Sequence, residues 1–376
     1  MLLHLSVLAM ILLLSLVFEN RIRTEKLVPV LGGESVNKRN SMLLVWVLFF
    51  ALITFYASVR RYTNDTDVYV YLFNLVDPSW DNIRTIITDT SKDKGFYILQ
   101  NLFKMYISKD FHMWFLFIAS IESVIYISVF RKRAVSFLDS MYFFFCAMLY
   151  FNYFSMMRQW FAVSITFLGI SFLEKKKFIP FLLICVFAAQ FHNSAFFIIP
   201  VYFLVGGVPW GKKQISLIGI FACLMLFLQP ILSATESATQ GSTYSYVVST
   251  MASNNGSSII RPIIAVVPVV LAFLARDRMV GKDKTIDICT NFSLLNFLLS
   301  FMAVFTSGLY LTRLSTYFNI YNVILYPYLL NVVYKDRPNE KLIKTGFYIF
   351  YFAFYMFDMT NSSAFPYFSD VIGLYS

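Results

Sequence analysis

Long apolar stretches alternate with short, charge-rich connections along the whole chain. The apolar segments are residues 1–18, 41–59, 111–130, 140–157, 158–173, 178–191, 195–208, 215–232, 262–275, 286–307, 315–333 and 345–358. A helix needs about 20 apolar residues to cross the hydrocarbon core of a bilayer. The pattern therefore predicts an all-α, polytopic membrane protein with about 12 transmembrane helices in a single integral membrane domain spanning 1–376. Segment 1–18 has no basic residues before it and no small-residue cleavage site after it, so it reads as a retained span rather than a signal peptide. Segment 95–108 is apolar on one face only, as expected of an interfacial helix or partial span.

Charge gives the segments a direction. Most of the 31 Lys and Arg fall in alternate connections. These are Arg21 to Arg39, Arg131 to Arg133, Lys175 to Lys177, Lys212 and Lys213, Arg276 to Lys284, and Lys335 to Lys344. Positive-inside bias assigns these connections to the cytoplasm and both termini to the outside. Two long outer loops follow: 60–110, with its partly embedded helix, and 233–261, a mobile polar loop rich in Ser, Thr, Gly and Asn.

Composition agrees with the pattern. The chain is 58% hydrophobic and 14% charged, with 42 Phe and 24 Tyr and a mean hydropathy of +0.65. A soluble domain carries about 25% charged residues. The net charge of +10 sits in cytoplasmic connections, so it reports topology rather than a nucleic-acid partner. Cys146, Cys185, Cys223 and Cys289 lie in apolar runs, without the spacing of a disulfide framework or a metal site. No cofactor or metal is expected.

Arg158 and His192 break the apolar pattern. A charge at membrane depth costs several kcal/mol unless a cavity, partner or ligand compensates it. Arg158 lies 17 residues before Lys175, and His192 lies 15 beyond Lys177. At ~1.5 Å per residue, both stand roughly 22–25 Å from the inner boundary of a core about 30 Å thick. That depth predicts an outward-facing cavity. Arg261 reaches a similar depth before Arg276, while Arg61 and Arg313 reach about 33 Å, near the outer headgroups. An arginine fork matches phosphate oxygens bidentately. At the outer leaflet, the corresponding ligand is a lipid-linked phosphate. Transfer of a sugar from a polyprenyl diphosphate needs charge neutralisation on the leaving group and a base for the acceptor hydroxyl. Arg158, Arg313, Arg61 and Arg261 suit the first need, and His192 or Asp67 the second. His192 is preferred for its depth and for an ordinary pKa of about 6.5. Asp65, Tyr69 and Tyr317 are further substrate-binding candidates. His112 reads as interfacial, and Glu122, in mid-segment, has no evident partner.

Several of these residues fall in motifs. Asn152 to Ala162 contains Arg158-Gln159, and Phe191-His192-Asn193-Ser194-Ala195 precedes Pro200. Arg60 to Tyr71 has a basic start followed by Asp67-Val-Tyr69-Val-Tyr71, and Arg313 to Phe318 ends in Tyr317-Phe318. In this order and spacing, over roughly residues 40–330, the chain resembles the EpsG family of Wzy-like polysaccharide polymerases. It departs from the pattern in the segment after the first loop: relatives often carry a Glu before the Gly-Phe or Pro-Phe that opens it, and here Asp93-Lys94-Gly95-Phe96 stands there.

The resemblance implies a GT-C-like fold and an inverting, metal-independent glycosyltransferase. It implies that a growing glycan moves from undecaprenyl diphosphate onto the next lipid-linked repeat unit at the outer face of the bacterial cytoplasmic membrane. Donor and acceptor would both be undecaprenyl-diphosphate-linked oligosaccharides. Membrane lipid, a chain-length regulator and a flippase would be the other partners. O-antigen, exopolysaccharide and capsule are the product classes. Two alternatives remain: a GT-C transferase using a polyprenyl-phosphate sugar, for which Asp65-Thr66-Asp67 would be the D-x-D element, and a lipid-linked-sugar transporter or flippase.

Overall fold

The computed structural model describes residues 8–9, 13, 35–63, 65–89, 92–239, 249–250, 256–306, 308–361 and 367–374. Among these, every extended element is helical, and β pairing is confined to isolated bridges at Arg61–Phe368 and Ser369–Leu374. The helices of seven residues or more are α1 (Ser35–Ser58), α2 (Thr66–Leu75), α3 (Trp80–Thr88), α4 (Lys94–Tyr106), α5 (Phe111–Arg133), α6 (Phe137–Cys146), α7 (Met157–Leu168), α8 (Phe178–Ala189), α9 (Lys212–Leu226), α10 (Leu228–Thr239), α11 (Ile260–Leu274), α12 (Lys284–Met302), α13 (Gly308–Asn319), α14 (Asn322–Tyr328) and α15 (Glu340–Asn361). Two of them, α5 and α12, are long and apolar enough to cross a membrane unaided.

Several predicted spans are interrupted. The stretch 140–173 breaks at Met148, whose φ of 60° lies in the left-handed region, and again at residues 153–156 before α7 begins. Segment 195–208 is a 3-10 helix (Asn193–Ile198) and a short α-turn (Val201–Val205) on either side of Pro200. Segment 315–333 is α13, then α14, then a π-helical turn at Leu329–Val333. The depth inferred for Arg313 assumed one continuous helix, which these breaks replace. Segment 1–18 lies almost wholly outside the described residues. Loop 233–261 begins as helix, since α10 runs to Thr239, and residues 240–248 and 251–255 lie outside the description.

The chain forms two compact units. The first comprises residues 1–169, 182–196 and 337–376; the second comprises 170–181 and 197–336. In the first, α5 packs on α1 and α7. α1 and α5 are antiparallel: the Arg131 guanidinium lies 3.9 Å over the Trp46 ring, and at the other end His112 Nδ1 is 2.8 Å from the Ser58 carbonyl. Asp110 caps α5 by accepting the His112 N–H, and Arg131, Lys132 and Arg133 fill the last turn, where cations suit the helix dipole. Loop 60–110 folds as α2, α3 and α4 beside this pair. Its anchor is Trp114, 1% exposed, whose indole contacts Phe73 of α2 and Phe96 and Phe103 of α4. Each ring so buried contributes roughly 1.5–3 kcal/mol.

In the second unit, α12 packs against α11, α13 and α14. Asp283 caps it by accepting from Thr285 N–H, and Asn291 donates to the Val205 and Gly207 carbonyls. Phe292 stacks on Tyr321 with ring centres 3.8 Å apart.

Lys104 shows how α4 is tied to α2. Its ammonium donates to the carbonyls of Phe73 (2.8 Å), Asn74 (3.2 Å) and Val76 (2.7 Å) at the C-terminal end of α2, where carbonyls lack the full set of helical partners and cations suit the helix dipole; Phe73 also accepts the Val76 N–H. Lys104→Met is expected to remove about 2 kcal/mol of local stability, raising amide exchange in the last turn of α2 roughly 30-fold. Hydrogen-exchange mass spectrometry checks this; unchanged exchange there would show that the cap contributes nothing.

Candidate functional site

The turn after α8 carries the His192 motif, and α4 docks against it. Gly95 N–H donates to the Gln190 carbonyl at 2.8 Å. A Cβ at position 95 would stand 2.7 Å from Gln190 Cβ and 2.8 Å from its carbonyl oxygen, so the approach requires glycine. One residue before Lys94, Asp93 adopts φ 61° and turns its side chain inward, leaving it 8% exposed. Its Oδ1 accepts the Asn193 N–H at 3.0 Å, and its Oδ2 accepts from Arg158 Nη1, also at 3.0 Å.

Arg158 occupies the first turn of α7, where its charge opposes the helix dipole and needs a counter-ion. Asp93 supplies it. Arg158 Nη1 also donates to the Tyr97 hydroxyl at 3.0 Å, and the Tyr69 phenol lies beside the same guanidinium. Burial holds the Tyr69 phenol above its ordinary pKa in spite of Arg158, so it stays a neutral hydroxyl able to donate. The Arg158 side chain keeps 29% of its surface open, although its Nε is itself buried and without a hydrogen-bond partner. Asp93 and Tyr97 thus hold Nη1 while part of the side chain stays exposed.

At His192, Nδ1 is 2.7 Å from Ser194 Oγ and accepts the Ser194 N–H at 3.3 Å. An amide can only donate, so Nδ1 is the acceptor and the neutral ring carries its proton on Nε2. Asp93 therefore joins the Arg158 end of α7 to the His192 turn.

The other candidates fall into three groups. Arg61 pairs with Asp67 (3.5 Å), on the same helix as Tyr69, and its guanidinium lies 4.9 Å over Phe111. Asp65 is exposed at the start of α2, and Gln159 is buried, 2% exposed, within the unit. Arg261, Arg313 and Tyr317 belong to the second unit: Arg261 at the N-terminus of α11, Arg313 exposed on α13, and Tyr317 buried one turn later.

Asp93 and Tyr97 are missing from the sequence-derived set, and so is the part played by Arg60. Arg60 is 1% exposed; its Nε donates to Thr66 Oγ1 at 3.3 Å, and its guanidinium sits 4.4 Å over Phe115 and 5.0 Å over Phe154. Glu122, 1% exposed, lies near Arg60 and Tyr153, with both carboxylate oxygens buried and without a hydrogen-bond partner. Among the described residues no group of three or more His, Cys, Asp or Glu side chains has the arrangement of a metal site.

The apolar helices of the described residues, together with the family match, indicate a membrane protein. The chain belongs to the EpsG family: the sequence model of that family matches residues 43–369. No curated protein and no solved structure matches it. The family is associated with glycosyltransferase-type polymerases of polysaccharides, and that is the class of activity its membership indicates.

Gly95→Ala is expected to push α4 off the Gln190–Asn193 turn and to cost about 1–3 kcal/mol as overpacking. Gly219, with nothing within 4 Å, provides the control, since Gly219→Ala should be neutral or stabilising. Thermal midpoints of the two purified variants test this; equal midpoints would remove the close approach as a constraint.

Proposed function

We propose that this chain is a polysaccharide polymerase that transfers a growing glycan from undecaprenyl diphosphate to a hydroxyl of the next lipid-linked repeat unit, at the outer face of the cytoplasmic membrane. The supporting observation is the carboxylate of Asp93, which holds Arg158 on one oxygen and the His192 turn on the other. This fixes a permanently charged side chain with open surface and ties it to the turn that carries a ring nitrogen able to donate. Both suit a diphosphate, whose oxygens gain charge as the glycosidic bond breaks.

The roles follow from the chemistry of each group. The exposed part of Arg158 binds the donor diphosphate, with Arg61 of the same unit assisting. His192, with its proton on Nε2, donates to a phosphate oxygen in the neutral state. That moves the acceptor's proton to Asp67, a carboxylate on α2 two residues from Tyr69. Tyr69 contacts sugar or phosphate through its hydroxyl, and Asp65, at the start of the same helix, serves the acceptor. Attack by the acceptor oxygen on the anomeric carbon forms the new glycosidic bond and expels undecaprenyl diphosphate. The reaction inverts the anomeric centre and draws on these side chains alone.

Arg158→Lys retains a charge but loses the planar fork and the geometry of its pair with Asp93. It is expected to reduce polymerisation about 100-fold or more, and Asp93→Asn is expected to act in the same direction by releasing Arg158. Purified protein reconstituted with a lipid-linked repeat unit, assayed for a ladder of products, tests both. Normal ladders from Arg158→Lys would sink the bidentate role. A single sugar added per acceptor, or translocation without growth, would replace the polymerase reading with a monosaccharide transferase or a flippase.

A further inference from the structure

Residues Tyr367–Leu374 have no part in the mechanism above, yet they are fastened at several points to the turn that leads into α2. Arg61 N–H donates to the Phe368 carbonyl at 2.8 Å, and Phe368 N–H donates to Thr63 Oγ1 at 3.1 Å. The Tyr367 hydroxyl donates to the Tyr56 carbonyl at 2.7 Å. His112, already bound to the Ser58 carbonyl through Nδ1, turns Nε2 to within 3.3 Å of Asp370. Ser369 and Thr63 are fully buried, and Tyr367 is 6% exposed. The segment also closes on itself through paired backbone bonds between Ser369 and Leu374, of 2.9 and 2.8 Å.

The turn it grips needs outside support. Tyr62 has φ 52°, a conformation a bulky residue keeps only when its surroundings impose it. This turn carries Arg61, and through Thr66 it starts the helix bearing Asp67 and Tyr69. Arg60 holds Thr66 from within the unit, and Phe368 holds Arg61 and Thr63 from the other side.

We infer that Tyr367–Leu374 is a positioning strap, which fixes the Arg60–Thr63 turn so that the Arg61–Asp67 ion pair keeps one place at the start of α2. The strap touches no reacting atom and acts through Asp67 and Arg61. Its importance for turnover rests on the polymerase reading, whereas its hold on the turn does not.

The experiment therefore has two arms. A spin label on Val68→Cys, an exposed position on α2, in a background with Cys223→Ser, reports motion of the helix start. Ladder kinetics report kcat and KM for the lipid-linked unit. Asp370→Asn, Tyr367→Phe and a chain ended at Asn361 should each raise label mobility. They should lower kcat about tenfold for the point variants, and further for the shortened chain, with KM within about twofold, since small displacements of a reacting group act on kcat. Asp370→Glu should recover both readouts. If the shortened chain does not fold, the point variants decide. Unchanged mobility in the folded point variants overturns the strap, and raised mobility with unchanged kcat overturns its role in turnover. Absence of any ladder from the unaltered protein would count against the polymerase reading, and label mobility would still judge the strap.

Discussion

The first unit's site depends on a single carboxylate. Asp93 spends its two oxygens on partners that the chain supplies from far apart: the Arg158 side chain, 65 residues on, and the Asn193 amide, 100 residues on. A partly exposed ion pair contributes modestly to stability, so its significance is geometric. It stops the guanidinium from snorkelling away from the helix end and sets the register between α4 and the turn after α8. The glycine two residues later permits the backbone contact that keeps the carboxylate in reach. Tyr97, from the first turn of α4, and Tyr69, from α2, then meet the same guanidinium.

The interrupted helices belong to the same logic. Non-helical backbone at membrane depth is tolerated where protein covers it. The breaks at Met148 and at residues 153–156 lie among buried aromatic rings, including Tyr150, Phe151, Tyr153 and Phe154. Tyr150 donates to the Ile53 carbonyl of α1, and Phe154 contacts Arg60. The aromatic surplus therefore has a structural task here. It packs around irregular backbone and lets α7 begin where Arg158 is needed.

Some of this was legible in the sequence, and the physical reasons differ by residue. Arg158 and His192 stand out because their neighbours are apolar, and a charge there needs a compensating partner. Helix α4 was visible as a one-sided apolar pattern at 95–108 and forms at Lys94–Tyr106. Asp93 gave no such signal. It lies near Asp89, Lys92 and Lys94 in a polar connection, where an acid is ordinary, and its inward turn depends on a left-handed backbone that composition does not announce. Arg60 and Arg61 are adjacent, and only the way the chain leaves α1 decides that the first is buried while the second pairs with Asp67. The breaks in 315–333 were invisible because hydropathy is blind to a change of helical pitch within an apolar run.

The span of sequence between interacting partners also bears on how the protein is made. α2 and α4 are made well before Arg158 and the His192 turn, so Asp93 exists for a time without the partners its two oxygens will take. The contacts from Tyr367 and Phe368 to Tyr56 and Thr63 close loops of 311 and 305 residues. Contacts of such long range form late in folding. A nascent chain can therefore hold its first apolar helices in the bilayer without having an assembled site, and competence arrives only once residues 367–374 have been made.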